Sequence, residues 1–147
     1  LVWYQFATGF DGFTALPSVG GSSVSLGDLD NDGDLDVVIG NQRDAADVGE
    51  RDSTVFWNDD GFDESNSLGL PTMYPQTSFI GDLDLDGYPE LVFTSYRNDA
   101  YNFNVDSLIY WGSPTGPSPS NVTGLPTHGA TGVRAAGPGI PGLASTP

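Results

Sequence analysis

The chain has no cysteine, no lysine and only one histidine, His128. The absence of cysteine excludes a disulfide framework, a thiolate metal site and a cysteine nucleophile. Catalysis needs a positioned base or nucleophile, and a lone histidine beside Gly129 is typical of a polar turn residue. The sequence therefore predicts that the protein is not an enzyme.

Positive charge is scarce and long apolar runs are missing. Four arginines stand against 20 aspartates and glutamates, which gives a net charge of −16. The negative electrostatic field of such a chain repels nucleic-acid phosphates and anionic lipids, and it attracts cations. Apolar runs such as residues 37–39 and 91–93 are far shorter than the roughly 20 residues that span a bilayer. We expect no nucleic-acid partner and no membrane insertion.

The length of 147 residues suffices for one domain or for part of a repeat protein. The chain begins with Leu1, without a basic segment followed by an apolar stretch, so we expect a processed or trimmed product. Short runs of β-branched and aromatic residues are cut by glycine, asparagine, aspartate and proline. This pattern predicts an all-β fold.

The sequence repeats itself with a period of about 54 residues. Residues 27–38 read GDLDNDGDLDVV, and residues 81–92 read GDLDLDGYPELV. The same spacing separates three Leu-Pro dipeptides, which begin at residues 16, 70 and 125, and three tryptophans, Trp3, Trp57 and Trp111. In a third copy, residues 137–145, glycine, proline and serine replace the acids, so we expect that copy to bind no metal.

Each repeat predicts four short strands, as in a propeller blade. One precedes the acidic loop (residues 23–26, 77–80 and 132–135), one follows it (36–41 and 90–95), one surrounds the tryptophan (2–4, 55–57 and 109–111), and a weak one precedes each Leu-Pro. The predicted units are the second half of a blade (1–17), two blades (18–71 and 72–126), and the start of a further blade with a Gly/Pro-rich tail (127–147). Because closed rings use roughly four to eight blades, we expect about two and a half four-stranded antiparallel blades in a partial or open propeller.

The two acidic loops are the clearest candidates for a functional site in the sequence. Each has carboxylates at positions 1, 3 and 5, glycine at position 6 and an acid at position 9, and the carbonyl at position 7 can add an oxygen. Several oxygens aimed at one point fit Ca²⁺ better than Mg²⁺. An EF-hand is excluded, since position 12 is Ile39 or Phe93 rather than glutamate. Solvated, metal-free turns are the alternative, but four or five carboxylates per loop repel one another without a cation. The sequence therefore predicts two Ca²⁺ sites.

The pattern Asp-x-Asp-x-Asp-Gly-x-x-Asp/Glu followed by an apolar strand resembles the FG-GAP/VCBS repeat of integrin-α-like β-propellers. The resemblance covers about residues 1–136. It implies calcium ligands at Asp28, Asp30, Asp32 and Asp36 and at Asp82, Asp84, Asp86 and Glu90, with a carbonyl from Asp34 or Tyr88. It also implies an extracellular or cell-surface location in adhesion and surface proteins, some members of the family being appended to enzymes.

Three other features leave alternatives open. The tryptophans are either a sugar-stacking surface or, as we favour, packing between blades. The insertions at residues 43–53 and 97–106 are either binding surfaces or solvated loops. Asn121 in an Asn-x-Thr triplet is a candidate N-glycan acceptor, and Ser145 and Thr146 are candidate O-glycan acceptors.

These observations favour a non-catalytic, calcium-stabilised extracellular structural or adhesion module. It is either part of a larger propeller or a subunit that assembles head to tail into a fibre by sharing blades between chains. The expected partners are another protein, copies of the chain itself, or a glycan. The alternative is a propeller segment appended to an extracellular enzyme or a carbohydrate-binding protein.

Overall fold

A computed structural model of the chain describes residues 1–6 and 9–134, and this part contains ten strands and no helix. The predicted all-β class is confirmed. Within these residues there is accordingly no helix long and apolar enough to cross a membrane. The strands form one two-stranded and two four-stranded antiparallel sheets, which do not close into a ring.

The two large sheets have the same meander topology. The first consists of β3 (Gly21–Gly27), β4 (Asp36–Asn41), β5 (Glu50–Asn58) and β6 (Phe62–Met73). The second consists of β7 (Pro75–Gly81), β8 (Glu90–Ser95), β9 (Asn104–Tyr110) and β10 (Val122–His128). Tyr74 alone separates the two sheets. Each sheet is a four-stranded unit of the kind that the repeat predicts.

The remaining strands, β1 (Val2–Phe6) and β2 (Gly9–Thr14), pair as an antiparallel hairpin. A strand was also predicted over residues 132–135, but residues 130–134 form none. Ala130 donates its N–H to the carbonyl of Ser95 at 3.1 Å, but no ladder continues from it within the described residues. Residue 135 and the degenerate third loop, residues 137–145, lie outside the described residues.

The fourth strand of each sheet differs from the prediction. It was expected to end before the Leu-Pro dipeptide, but β6 and β10 run through Pro71 and Pro126, which pair with Asp52 and Asp106. Both strands lie at a sheet edge. Proline cannot donate to a ladder and is therefore tolerated at an edge, where its nitrogen needs no partner.

The core lies between the two large sheets. Its fully buried members are apolar residues of both sheets and of the first acidic loop, namely Leu29, Val38, Val55, Leu70, Leu91, Phe93 and Tyr110. Val38 and Leu91 lie in this core, although the repeat aligns Val38 with Val92, and neighbouring positions on a strand point to opposite faces. The first sheet therefore packs one face against the opposite face of the second. This arrangement lets further blades stack in the same way.

The other face of the first sheet is only partly covered. Val24 and Leu26 of β3 pair with Ile39 and Val37 of β4. Val37 is buried, whereas Val24 and Leu26 are 66% and 61% exposed. Two large apolar side chains thus remain in solvent on the first strand of the sheet.

The first strands of the two sheets, β3 and β7, approach closely because their facing residues are small. The Ser78 hydroxyl lies 3.2 Å from that of Ser23 and 2.7 Å from that of Ser25. A Cβ on Gly27 would lie 2.7 Å from Ile80 Cγ2. Glycine and serine at these positions therefore set the distance between the sheets.

A second contact between the sheets forms around Arg97, in the inserted segments at residues 43–53 and 97–106. The buried guanidinium lies 3.8 Å from the ring centre of Tyr74 and 4.0 Å from that of Tyr101. Its Nη2 donates to Asp47 Oδ2 at 2.8 Å, and Nη1 donates to the carbonyl of Asn98 at 3.0 Å. The two insertions thus contact each other.

The Asp47 carboxylate joins the insertion of the first sheet to this cluster. Tyr101 donates its hydroxyl to Asp47 Oδ2 at 2.8 Å, and Arg43 Nη1 donates to Oδ1 at 2.8 Å. The hydrogen bond from Tyr101, followed by that from Arg43, lowers the pKa of Asp47 below its usual value. The carboxylate therefore stays charged opposite Arg97 at neutral pH.

We expect Arg97→Lys to lower the Tm by several degrees, because an ammonium cannot stack between two rings and donate to both acceptors as the planar guanidinium does. The matched control is Arg43→Lys, 54 residues earlier, whose side chain is 54% exposed and should be nearly silent. Thermal unfolding followed by circular dichroism at fixed calcium concentration measures both. Equal shifts would show that the contact around Arg97 adds no stability of its own.

Candidate metal centres

The two acidic loops connect the first and second strands of each sheet and share one backbone conformation. In the first, Asn31 and Gly33 have positive φ angles of 62° and 101°. In the second, Leu85 and Gly87 have φ angles of 65° and 93°. Asparagine and glycine tolerate this region, whereas leucine rarely adopts it. That Leu85 nevertheless does so indicates that the rest of the loop imposes the turn.

Three carboxylates converge in each loop. One oxygen from each of Asp28, Asp30 and Asp32 lies within 4.8 Å of the others, and the same holds for Asp82, Asp84 and Asp86. The backbone helps to orient them. In the first loop the N–H of Asp32 donates to Asp28 Oδ1 at 3.1 Å and to Asp30 Oδ1 at 3.3 Å.

The second loop repeats these hydrogen bonds. The N–H of Asp86 donates to Asp82 Oδ1 and to Asp84 Oδ1, both at 3.2 Å. The N–H of Gly87 donates to Asp82 Oδ2 at 3.0 Å. Each loop therefore holds its carboxylates in place through its own backbone, 54 residues apart in the sequence.

The donor set fits a hard divalent cation. Three like charges within 4.8 Å repel one another, and a cation between them would offset that repulsion. Partial burial raises the pKa of Asp30 above its usual value, and the charges of nearby aspartates, Asp59 among them, add to the rise. Carboxylate oxygens in such a turn suit Ca²⁺. The three aspartates of each loop are thus the residues that could hold the ion.

The acids at position 9 contact the backbone. Buried Asp36 accepts the N–H of Leu29 on Oδ2 at 2.8 Å and that of Asn58 on Oδ1 at 3.1 Å. Burial raises the pKa of Asp36 to about 6. The carboxylate thereby connects the loop to the end of β5, outside the group of three converging aspartates.

Glu90 occupies the same place in the second loop. Its Oε2 accepts the N–H of Leu83 at 2.5 Å, and its Oε1 accepts that of Gly112 at 3.3 Å. As metal ligands, Asp36 and Glu90 stay predictions, as does the carbonyl of Asp34 or Tyr88. The hydrogen bonds show that Asp36 connects the first loop to the last residue of β5, and that Glu90 connects the second loop to Gly112, just after β9.

The loops lie side by side at one end of the sheets. Asn31 Nδ2 in the first donates to the carbonyl of Gly87 in the second at 2.9 Å. Beside the first loop, a cleft of about 510 Å³ is bordered by Asp30, Asp32, Trp57 and Asp59 and by the proline-rich segment 114–119. Sequence reasoning missed Asp59, whose only signal is a pair of aspartates soon after the tryptophan.

Comparison with protein-family models matches residues 20–54 to the FG-GAP repeat. This segment is an FG-GAP repeat. It contains β3, the first acidic loop, β4 and the start of β5, so the family predicted from the acidic loops is confirmed. Comparisons with curated proteins and with solved structures find no significant match.

Two of the three tryptophans that recur with the repeat period, Trp57 and Trp111, have described side-chain contacts. Trp57 is half-buried against the core, and a Cβ on Gly116 of the second sheet would lie 2.5 Å from its Cη2. Trp111 donates its indole N–H to Thr123 Oγ1 at 2.8 Å. Trp3 lies in β1. Trp57 therefore packs between sheets, as we favoured, while it also borders the cleft.

The remaining candidates lie away from the two acidic loops. His128 ends β10, exposed, with Nδ1 2.7 Å from Asn104 Oδ1. Asn121 is exposed and stays a predicted N-glycan acceptor. Ser145 and Thr146 lie outside the described residues. His128 contacts an amide oxygen, which is not the pairing expected of a general base with a nucleophile.

We expect Asp36→Ala to lower the free energy of unfolding by about 1–3 kcal/mol even in excess chelator, because two backbone N–H groups lose their acceptor. The control is Asp34→Ala, an exposed position in the same loop, which should change it by about 0.5 kcal/mol or less. Urea denaturation with EDTA present measures both. A silent Asp36→Ala would contradict a structural role that is independent of metal.

Proposed function

We propose that the protein is a non-catalytic, calcium-stabilised structural or adhesion module that works outside the cell or at its surface. The observation that carries the proposal is the pair of acidic loops with the same backbone turn and the same converging carboxylates. The same geometry recurs 54 residues apart, as expected of a cation site that is repeated with the sheet. The FG-GAP match supports an extracellular location, and the net charge of −16 supports cation binding.

In this proposal calcium strengthens the junction of the two sheets rather than carrying a signal. The loops contact each other through Asn31 and Gly87, and Asp36 and Glu90 connect them to Asn58 and Gly112. Extracellular calcium modules have Kd values of about 0.1–1 mM. Calcium at ten times the Kd would add about 1.4 kcal/mol of stability per site.

Calcium titration tests this part. We expect isothermal titration calorimetry to find two sites, and millimolar calcium to raise the Tm relative to EDTA. Asp30→Asn and Asp84→Asn should each remove one site, because each replaces the middle carboxylate of one loop. Asp63→Asn, an exposed carboxylate on β6, is the matched control and should keep both sites. A wild-type chain with no calcium heat and no Tm shift would show that the loops are solvated turns.

We further propose that the module is completed by other blades, either within a larger propeller or from further copies that share blades head to tail. The partly covered face of the first sheet supports this. Leu26 is 61% exposed, whereas its counterpart Ile80, 54 residues later, packs on Gly27 of the neighbouring sheet. A face that is buried in one repeat and exposed in the other is where a further blade fits.

Electron microscopy in millimolar calcium and after chelation separates the two versions. Calcium-dependent filaments or rings would support shared blades. Leu26→Ser should shorten them, because it places a hydroxyl on the apolar face, while Leu85→Ser in the second acidic loop, 69% exposed, should not. Small particles in both conditions would exclude self-assembly and leave a larger propeller. The alternative, a segment of an extracellular enzyme or carbohydrate-binding protein, would place any catalytic residues outside this chain.

A further inference from the structure

The two acidic loops share a backbone but not an environment. In the first, Leu29 is fully buried, and Asp28 and Asp30 are half-buried. In the second, the equivalent Leu83 is 39% exposed, and all three converging aspartates are exposed. Solvent screens charges at the second loop more strongly than at the first.

The first loop owes this shielding to the second sheet. Residues 113–120, which follow β9, form a turn in which Gly116 donates its N–H to the carbonyl of Ser113 at 2.9 Å. Gly116 and Pro117 are buried, and Gly116 packs against the edge of Trp57. This turn borders the cleft into which the first loop faces.

Asp59 adds a carboxylate to that cleft. It lines the same cleft as Asp30 and Asp32, and its Oδ2 accepts the side-chain N–H of Asn66 at 2.8 Å, which orients it. The equivalent position in the second repeat, 54 residues later, is Ser113. The cleft beside the first loop therefore holds an additional carboxylate at a position where the second repeat has a hydroxyl.

We propose that the two loops bind calcium with unequal affinity, that the first loop is the tighter site, and that Asp59 sets the difference by its charge at the edge of the site. The inference rests on the proposed function, that is, on calcium binding at both loops. A carboxylate in a partly shielded cleft attracts a divalent cation more strongly than a hydroxyl does. As calcium falls, the exposed second loop empties first, while the first, shielded by the turn at residues 113–120, stays filled.

The test isolates each loop in the full-length chain. Asp84→Asn leaves the first loop, and Asp30→Asn leaves the second. Isothermal titration calorimetry with calcium chloride should then give a lower Kd for the first loop. Adding Asp59→Asn should weaken the first loop by about tenfold, or about 1.4 kcal/mol, and leave the second unchanged. Asparagine keeps the acceptor for Asn66, so the fold should be preserved, and an unchanged Tm in EDTA checks this.

Asp60→Asn, which removes the same charge one residue away and outside the cleft, is the matched control and should have a much smaller effect. Equal Kd values for the two loops would overturn the inference. So would an Asp59→Asn effect that is the same in both backgrounds or is matched by Asp60→Asn, since either reports net charge alone. A wild-type chain that binds no calcium would instead reject the proposed function on which the inference rests.

Discussion

A sheet of four short strands has two faces and cannot bury both by itself, and this constraint governs the rest of the structure. The first sheet packs the face that carries Val38 against the face of the second that carries Leu91. Because opposite faces of the two repeats meet, each sheet has one face for a preceding unit and one face for a following unit. The serines of the first strands, the contacts around Arg97 and the acidic loops all lie at the border of this interface.

The interface is reinforced at both ends of β8. At the end near Glu90 the two acidic loops meet, and Gly116 of the second sheet packs on Trp57 of the first. Beyond Ser95, at the other end, Arg97 lies between aromatic rings and contacts Asp47 of the first sheet. Six residues of strand span about 20 Å, so the two contacts act on separate borders of one core. A cation at the first end and the guanidinium at the second would thus stabilise the same packing.

Much of the fold could be predicted because its signals are local. The alternation of apolar residues marked the strands, and the spacing of acids and glycine marked the turns at Asp28 and Asp82. Asp59 and Arg97 could not be found in this way. Asp59 lies near the first loop because the chain after β5 passes it, and Arg97 is buried because Tyr74 and Asp47 contact it from distant parts of the sequence. The spacing of residues along the sequence carries no information on either of these contacts between distant segments. The sequence pattern also could not show that Pro71 lies inside an edge strand.

Tyr74 is the whole connection between the two large sheets, and its backbone bonds to both, through the carbonyl of Gly49 and the N–H of Tyr96. A junction of one residue leaves no spare length of chain between β6 and β7. When the chain is pulled, tension passes directly from β6 to β7, and neither sheet can swing aside before its strands or the packed face yield. A force along the chain would therefore act on the two sheets as one unit, with the side chain of Tyr74 stacked on Arg97 at the junction.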